Sequence, residues 1–230
     1  MAQHLDLEEQ EQLDELRHFW KQYGNLITWL LIAVLGTFAA WNGYQYWQRS
    51  QAVQASVMFD EIERAVQSGE STKIDRALGD MKERFGATAY AQQAALLAAK
   101  AYYDKGNVDA ARAALSWVAE KSSDTGYQAV ARLRLAGILL EKKAFDEALQ
   151  QVSGTFPKGF AALAADRRGD IFMLQGKKAE AKAEYEKAWK ALDERAEYRR
   201  LVEAKLNALG VDPVGVHTIS AAVANAGETR

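Results

Sequence analysis

No cysteine occurs anywhere in the chain. Disulfides and thiolate chemistry are therefore excluded, while both oxidising and reducing compartments stay open. Proline is nearly absent, with two in 230 residues, and no run alternates with the period of two that a half-buried strand requires. Outside its apolar stretch the chain accordingly reads as all helix. Histidine is scarce: His4, His18 and His217 fall in the two terminal segments, too few and too polar in their surroundings to argue a ligand set. There is no glycine-rich phosphate loop and no nucleophile set beside a base. The expectation is a protein that is not an enzyme and carries no cofactor or metal. A net charge of −2 and a pI near 6.0, with Lys and Arg interspersed among acids, leave no basic stripe for nucleic acid.

Charge itself is missing from one stretch. Between Gln22 and Gln48 there is no Asp, Glu, Lys or Arg. As a helix this run would reach roughly 40 Å, against a hydrocarbon layer about 30 Å thick. Leu26, Ile27, Leu30, Leu31, Ile32, Val34, Leu35 and Phe38 populate its centre, and each favours insertion by about 0.3 to 0.6 kcal/mol. Trp20 and Tyr23 at one edge, and Trp41, Tyr44, Tyr46 and Trp47 at the other, suit the headgroup level. The preceding residues, MAQHLDLEEQEQLDELRHFWKQ, are long and acidic where a signal peptide has a short basic leader, so the span is expected to be an uncleaved anchor in contact with membrane lipid. Gly36 with Ala40, and Ala39 with Gly43, form small-xxx-small pairs that would admit a second membrane helix.

Four regions follow: an acidic segment over 1–21, the transmembrane helix over 22–48, a helical domain over 49–210 and a mobile tail over 211–230. The first reads either as a short surface helix or as a solvated leader. In the third, Gly69, Gly86, Gly106, Gly126, Gly154, Gly176 and Gly210 stand where helices of about 15 residues would end, with Thr88, Asn107 and Asp124 or Thr125 placed to cap the next ones. Segments 98–118, 134–152 and 167–189 can be superimposed, and their marker alanines, Ala111, Ala148 and Ala181, extend to a weaker match at Ala77 with intervals of 34, 37 and 33 residues. The tetratricopeptide period is 34. Gly169, Phe172, Gly176, Ala181, Tyr185 and Ala188 make the last unit the best match.

The expected fold is therefore all-α: one N-terminal transmembrane helix, then a tetratricopeptide-like α-solenoid closed by a C-terminal capping helix. In that cap Tyr198, Leu201, Val202, Leu206 and Leu209 would face inward, with Arg199, Arg200, Glu203 and Lys205 outside. The first helices of successive pairs would line a groove of Phe59, Ile62, Val66, Leu96, Tyr103, Val130, Leu133, Leu140, Leu163, Met173 and Leu174. That lining is largely apolar and suits an amphipathic or unfolded segment; otherwise part of it is core, or is covered by the helix leaving the membrane. Leu96, Leu133 and Asp166, with Lys100, Gly137 and Asp170 one turn on, hold the positions where carboxylate-clamping tetratricopeptide domains carry Lys, Arg and Asn, which argues against such a clamp.

FWKQYGN before the span, GYQYWQRSQ after it and FAALAADRRGDIFMLQGKKAEAKAEYEKAW near the end of the repeats together resemble one bacterial family, the ancillary subunits of the SecYEG translocon. The resemblance implies an inner-membrane protein with a cytoplasmic N-terminus and a periplasmic repeat domain. It further implies a place beside SecYEG and a membrane-anchored isomerase-like chaperone, linking secretion to periplasmic chaperones. Charge does not fix the orientation, since Arg17 and Lys21 precede the span and Arg49 and Arg64 follow it. The alternative is an N-anchored tetratricopeptide receptor or scaffold facing the cytosol. Residues 50–230 expressed alone are predicted to give a soluble, mainly helical protein by circular dichroism; a fragment that stays in solution only with detergent would contradict the placement of the anchor.

Overall fold

The computed structural model describes residues 7–213, with side chains from Arg17 onward. His4, His217, residues 1–6 and the tail from 214 lie outside the described residues. Among the described residues there are nine α-helices and no strand: α1 (Leu7–Ser68), α2 (Ser71–Phe85), α3 (Ala89–Asp104), α4 (Val108–Lys121), α5 (Thr125–Glu141), α6 (Phe145–Val152), α7 (Lys158–Leu174), α8 (Lys178–Ala191) and α9 (Glu197–Ala208). They divide into two compact units between Gln54 and Ala55, a boundary inside α1.

In the first unit, α1 includes the only described stretch long and apolar enough to cross a membrane. Its large side chains, Leu30, Leu31, Ile32, Leu35 and Phe38 among them, are exposed. Three of its polar side chains find acceptors on their own helix. The Thr28 hydroxyl donates to the Gly24 carbonyl at 2.7 Å, Thr37 to Ala33 at 2.8 Å, and the Asn42 amide to Phe38 at 2.9 Å. Such internal pairing is what a lipid-facing helix requires, because hydrocarbon offers no partner.

The second unit is a run of helix pairs. The four marker alanines, Ala77, Ala111, Ala148 and Ala181, lie on α2, α4, α6 and α8, the second helix of each pair, and all are buried. α7 and α8 approach closely. A Cβ added at Gly169 would stand 2.4 Å from the Tyr185 ring, so only glycine admits this crossing. Thr88, Asn107 and Asp124 cap α3, α4 and α5 by accepting from the backbone N–H of Ala91, Ala110, and both Gly126 and Tyr127. Gly126 itself stands in the first turn of α5, not at a helix end, and Gly86 keeps right-handed backbone at φ −54°.

One turn recurs between the helices of a pair. At the ends of α3, α5, α7 and α9, residues 106, 143, 176 and 210 take left-handed backbone, with φ of 78°, 59°, 77° and 75°. In each the following N–H reaches back to a carbonyl five residues earlier: Asn107 to Tyr102, Ala144 to Leu139, Lys177 to Phe172 and Val211 to Leu206. This is the Schellman closure, which favours glycine. Three of the four are glycine, and Lys143 is the exception. α9 thus ends in the same turn as the first helices of the pairs. The turn brings Val211 back onto the core of α8 and α9, so ordered packing continues past Gly210.

Two lengths depart from the expected 15 residues. α1 is one helix of 62, and α6 has only 8 because arginines terminate it. Arg132 donates to the carbonyls of Gln151 and Ser153, Arg168 donates to Val152, and the Arg132 guanidinium lies 4.3 Å over the Phe156 ring. Phe156 packs with Ala129 and Ala164 where a longer α6 would have continued.

The cap departs from the expected register at Leu201. Val202 and Leu206 are fully buried, but Leu201 is 48% exposed. Counting back from the turn, Leu201 lies nine residues before Gly210, as Arg134 lies nine before Lys143 and Arg167 nine before Gly176. That position faces the groove and not the core. Leu206→Ala is therefore predicted to cost about 2 to 5 kcal/mol, Gly169→Ala about 1 to 3 kcal/mol by overpacking, and Leu201→Ala less than about 0.5 kcal/mol, all by denaturant unfolding. Equal losses at Leu201 and Leu206 would contradict this register.

Candidate functional site

The first helices α3, α5 and α7 frame a cup of about 460 Å³. Its apolar floor is Ala99, Leu115, Leu133 and Ile138, and Lys100, Tyr103, Arg134, Glu141 and Arg167 surround it. Three polar contacts tie α3 to α5 beside it. The Tyr103 hydroxyl donates to Glu141 at 2.5 Å, the Gln93 amide donates to the Tyr127 hydroxyl at 2.7 Å, and Arg134 donates to the Leu96 carbonyl at 3.3 Å. The bond to Glu141 also holds the Tyr103 phenol above its usual pKa. The Arg167 guanidinium from α7 lies over Gly137, 3.8 Å from where a Cβ would be.

Of the expected groove residues, Tyr103 and Leu133 line this cup. Ile62, Leu96 and Leu140 are buried in the core and are not available to a ligand. Phe59, Val66 and Val130 are half-buried against the core formed by the first five helices. Met173 packs against the core of α8 and α9, Leu163 is half-buried, and Leu174 is exposed. The physical reason is crowding: alanines bring the helices so close that most large side chains are drawn inward. What the apolar pattern missed is the ring of charge. Its signal was present in Arg134 and Arg167, 33 residues apart at one repeat position. A second cavity, about 630 Å³ beside the end of α1 and α2, mixes Glu61 and Asp80 with Arg64, Lys73 and Arg76. Its charges largely offset one another.

Beyond α7 the groove is closed by a partly buried polar cluster centred on the buried Asp166. Lys205 of α9 donates to both oxygens of Asp166, at 2.8 Å each, and to Asp170 at 2.6 Å. The Tyr198 hydroxyl donates to Asp166 at 2.6 Å and that of Tyr185 to Asp170 at 2.8 Å. Asp166 and Asp170, which fall at ligand-facing positions in the repeat pattern, are thus held by the cap. Lys205, expected on the outer face, points inward, while Arg199 stacks on Trp189 at 3.9 Å. Burial first, then the neighbouring carboxylates, pushes both phenols above their usual range.

Along α1, Gly36 and Gly43 have no atom within 4 Å of an added Cβ, and Ala39 and Ala40 are exposed. That face is open.

Breaking the cluster is predicted to be costly. Lys205→Met leaves two carboxylates without their cation and should cost about 3 kcal/mol or more, whereas Arg200→Ala should cost less than about 0.5 kcal/mol. The phenols add a pH signature. Because their folded pKa lies above the unfolded value of 10.0, their contribution is complete below pH 10 and is lost as pH rises beyond it. Alkaline unfolding that is unchanged in a Tyr185→Phe, Tyr198→Phe double variant would contradict this.

A family model described as a tetratricopeptide repeat-like domain matches residues 17–211. The ancillary SecYEG translocon subunit of Neisseria gonorrhoeae is 32% identical over 214 residues, 91% of this chain and 100% of that protein. The protein of the same name from Haemophilus influenzae is 30% identical over 182 residues, covering 79% of this chain and 89% of its own. That of Escherichia coli is 27% identical over 206 residues, 88% and 97% of the two chains. No solved structure matches.

Proposed function

The chain belongs to the family of ancillary SecYEG translocon subunits, and from that premise we propose that it is a single-pass, protein-binding subunit of the bacterial inner membrane, seated beside the translocon. The observation that carries this reading is the reach of the similarity, which includes the apolar part of α1 as well as the repeats. In it the segment 1–21 is cytoplasmic, 22–48 crosses the bilayer, and the helical domain 49–210 works in the periplasm. The open face of Gly36, Ala39, Ala40 and Gly43 packs against a translocon helix. The concave face, with Tyr103 and Leu133 accessible, receives a periplasmic partner, and a membrane-anchored isomerase-like chaperone stands beside it. The protein links translocation to chaperones by binding alone, with no catalytic step.

Anchoring suits weak recognition. A groove of micromolar affinity is still occupied when membrane attachment raises the local concentration of its partners.

Site-specific photocrosslinking in membranes tests this directly. A photoreactive residue at Leu35 or Ala39 is predicted to capture translocon subunits, and one at Tyr103 or Leu133 to capture periplasmic proteins. Cytosolic proteins captured at Tyr103 would establish the opposite orientation and the receptor or scaffold reading.

A further inference from the structure

We propose that the cup between α3, α5 and α7 binds an acidic polypeptide segment that also carries a bulky apolar side chain. This names the chemistry of the partner in the groove reading above and rests on it. The charges come first. Lys100, Arg134 and Arg167 face the cup against Glu141, and Glu141 already accepts from Tyr103. Lys100 pairs with Asp104, but both side chains are more than half exposed, so that pair is weak and exchangeable. Arg134 uses one nitrogen on the Leu96 carbonyl, which leaves most of its five N–H donors free. No carboxylate among the described residues lies within ion-pair distance of Arg134 or Arg167. Two guanidiniums over an apolar floor are thus prepared for an anion that the chain itself does not supply.

Position favours one ligand for both cations. The Arg167 guanidinium reaches from α7 over Gly137, one turn along α5 from Arg134, so both guanidiniums stand beside the same apolar floor and a single acidic segment can meet them together. The floor of Leu133, Ile138 and Leu115 favours a polypeptide with an apolar side chain over a nucleic acid, whose phosphates leave such a floor uncovered.

The experiment uses the full chain in lipid nanodiscs and fluorescence anisotropy of labelled, C-terminally amidated peptides. The probe is GESLESLEG, with GQSLQSLQG, GKSLKSLKG and GESSESSEG as comparisons. The acidic probe is expected to bind at least about tenfold more tightly than the glutamine peptide, as charge-assisted bonds imply, and more tightly than the serine peptide. Arg134→Glu with Arg167→Glu should reverse the preference toward the lysine peptide, while Arg76→Glu, at the other cavity, should leave it unchanged. Equal binding of the acidic and glutamine peptides, or no binding of any peptide, would overturn the proposal. So would equal binding of the serine peptide together with displacement by single-stranded RNA, which would mark an unspecific anionic surface. Crosslinking of periplasmic proteins at Tyr103 alongside any of these results would leave the groove reading standing, so the two failures are distinguishable.

Discussion

The structure depends on how closely two helices can approach when one of them carries almost nothing at the crossing. Gly169 lies so near the Tyr185 ring that a single added carbon would collide with it. Ala111, Ala148 and Ala181 are fully buried at the matching points of α4, α6 and α8. Each small residue accepts a large one from the facing helix and fixes the pair, and each pair leaves an apolar face for the next to cover. The repeated Schellman turn then closes α3, α5, α7 and α9 in the same way. Lys143 shows how strongly the array imposes that turn, since it holds a left-handed conformation that normally costs a non-glycine residue roughly 1 kcal/mol or more.

Close packing also decides what the groove is made of. When alanine draws helices together, large aliphatic side chains on the first helices are absorbed into the core, as Ile62, Leu96 and Leu140 are. What stays accessible is the position nine residues before the turns at Lys143, Gly176 and Gly210, occupied by Arg134, Arg167 and Leu201. The groove is therefore apolar at its floor and cationic around it. At its C-terminal end, Lys205 bridges Asp166 and Asp170 and ties α9 to α7. Removing that cation would free two carboxylates beside the basic cup and also unseat the cap.

Much of this was legible in the residues. The charge-free stretch is enough to recognise a helix able to cross a membrane, because hydrocarbon tolerates so few alternatives. Alanines at intervals near 34 identify the helix pairs, since the small-to-large crossing must recur at the repeat period. Caps at Thr88, Asn107 and Asp124 were readable because a side-chain oxygen just before a helix has one obvious task. The inward turn of Lys205, the exposure of Leu201 and the brevity of α6 were not. Each depends on a partner distant in sequence: Asp166 for Lys205, the groove register for Leu201, and Arg132 with Arg168 for the end of α6. A helical wheel sees one helix, and these positions are settled between helices.

The central claim of the functional account is that the repeats work on the opposite side of the inner membrane from the N-terminus. Arg17 and Lys21 on one flank and Arg49 and Arg64 on the other give charge no clear preference, so orientation rests on family membership and is open to direct measurement. Alkaline phosphatase, active only in the periplasm, and a fluorescent reporter that matures only in the cytosol are each fused after Arg230 in the intact chain. The account predicts an active phosphatase and a dark reporter; an inactive phosphatase with a bright reporter would contradict it.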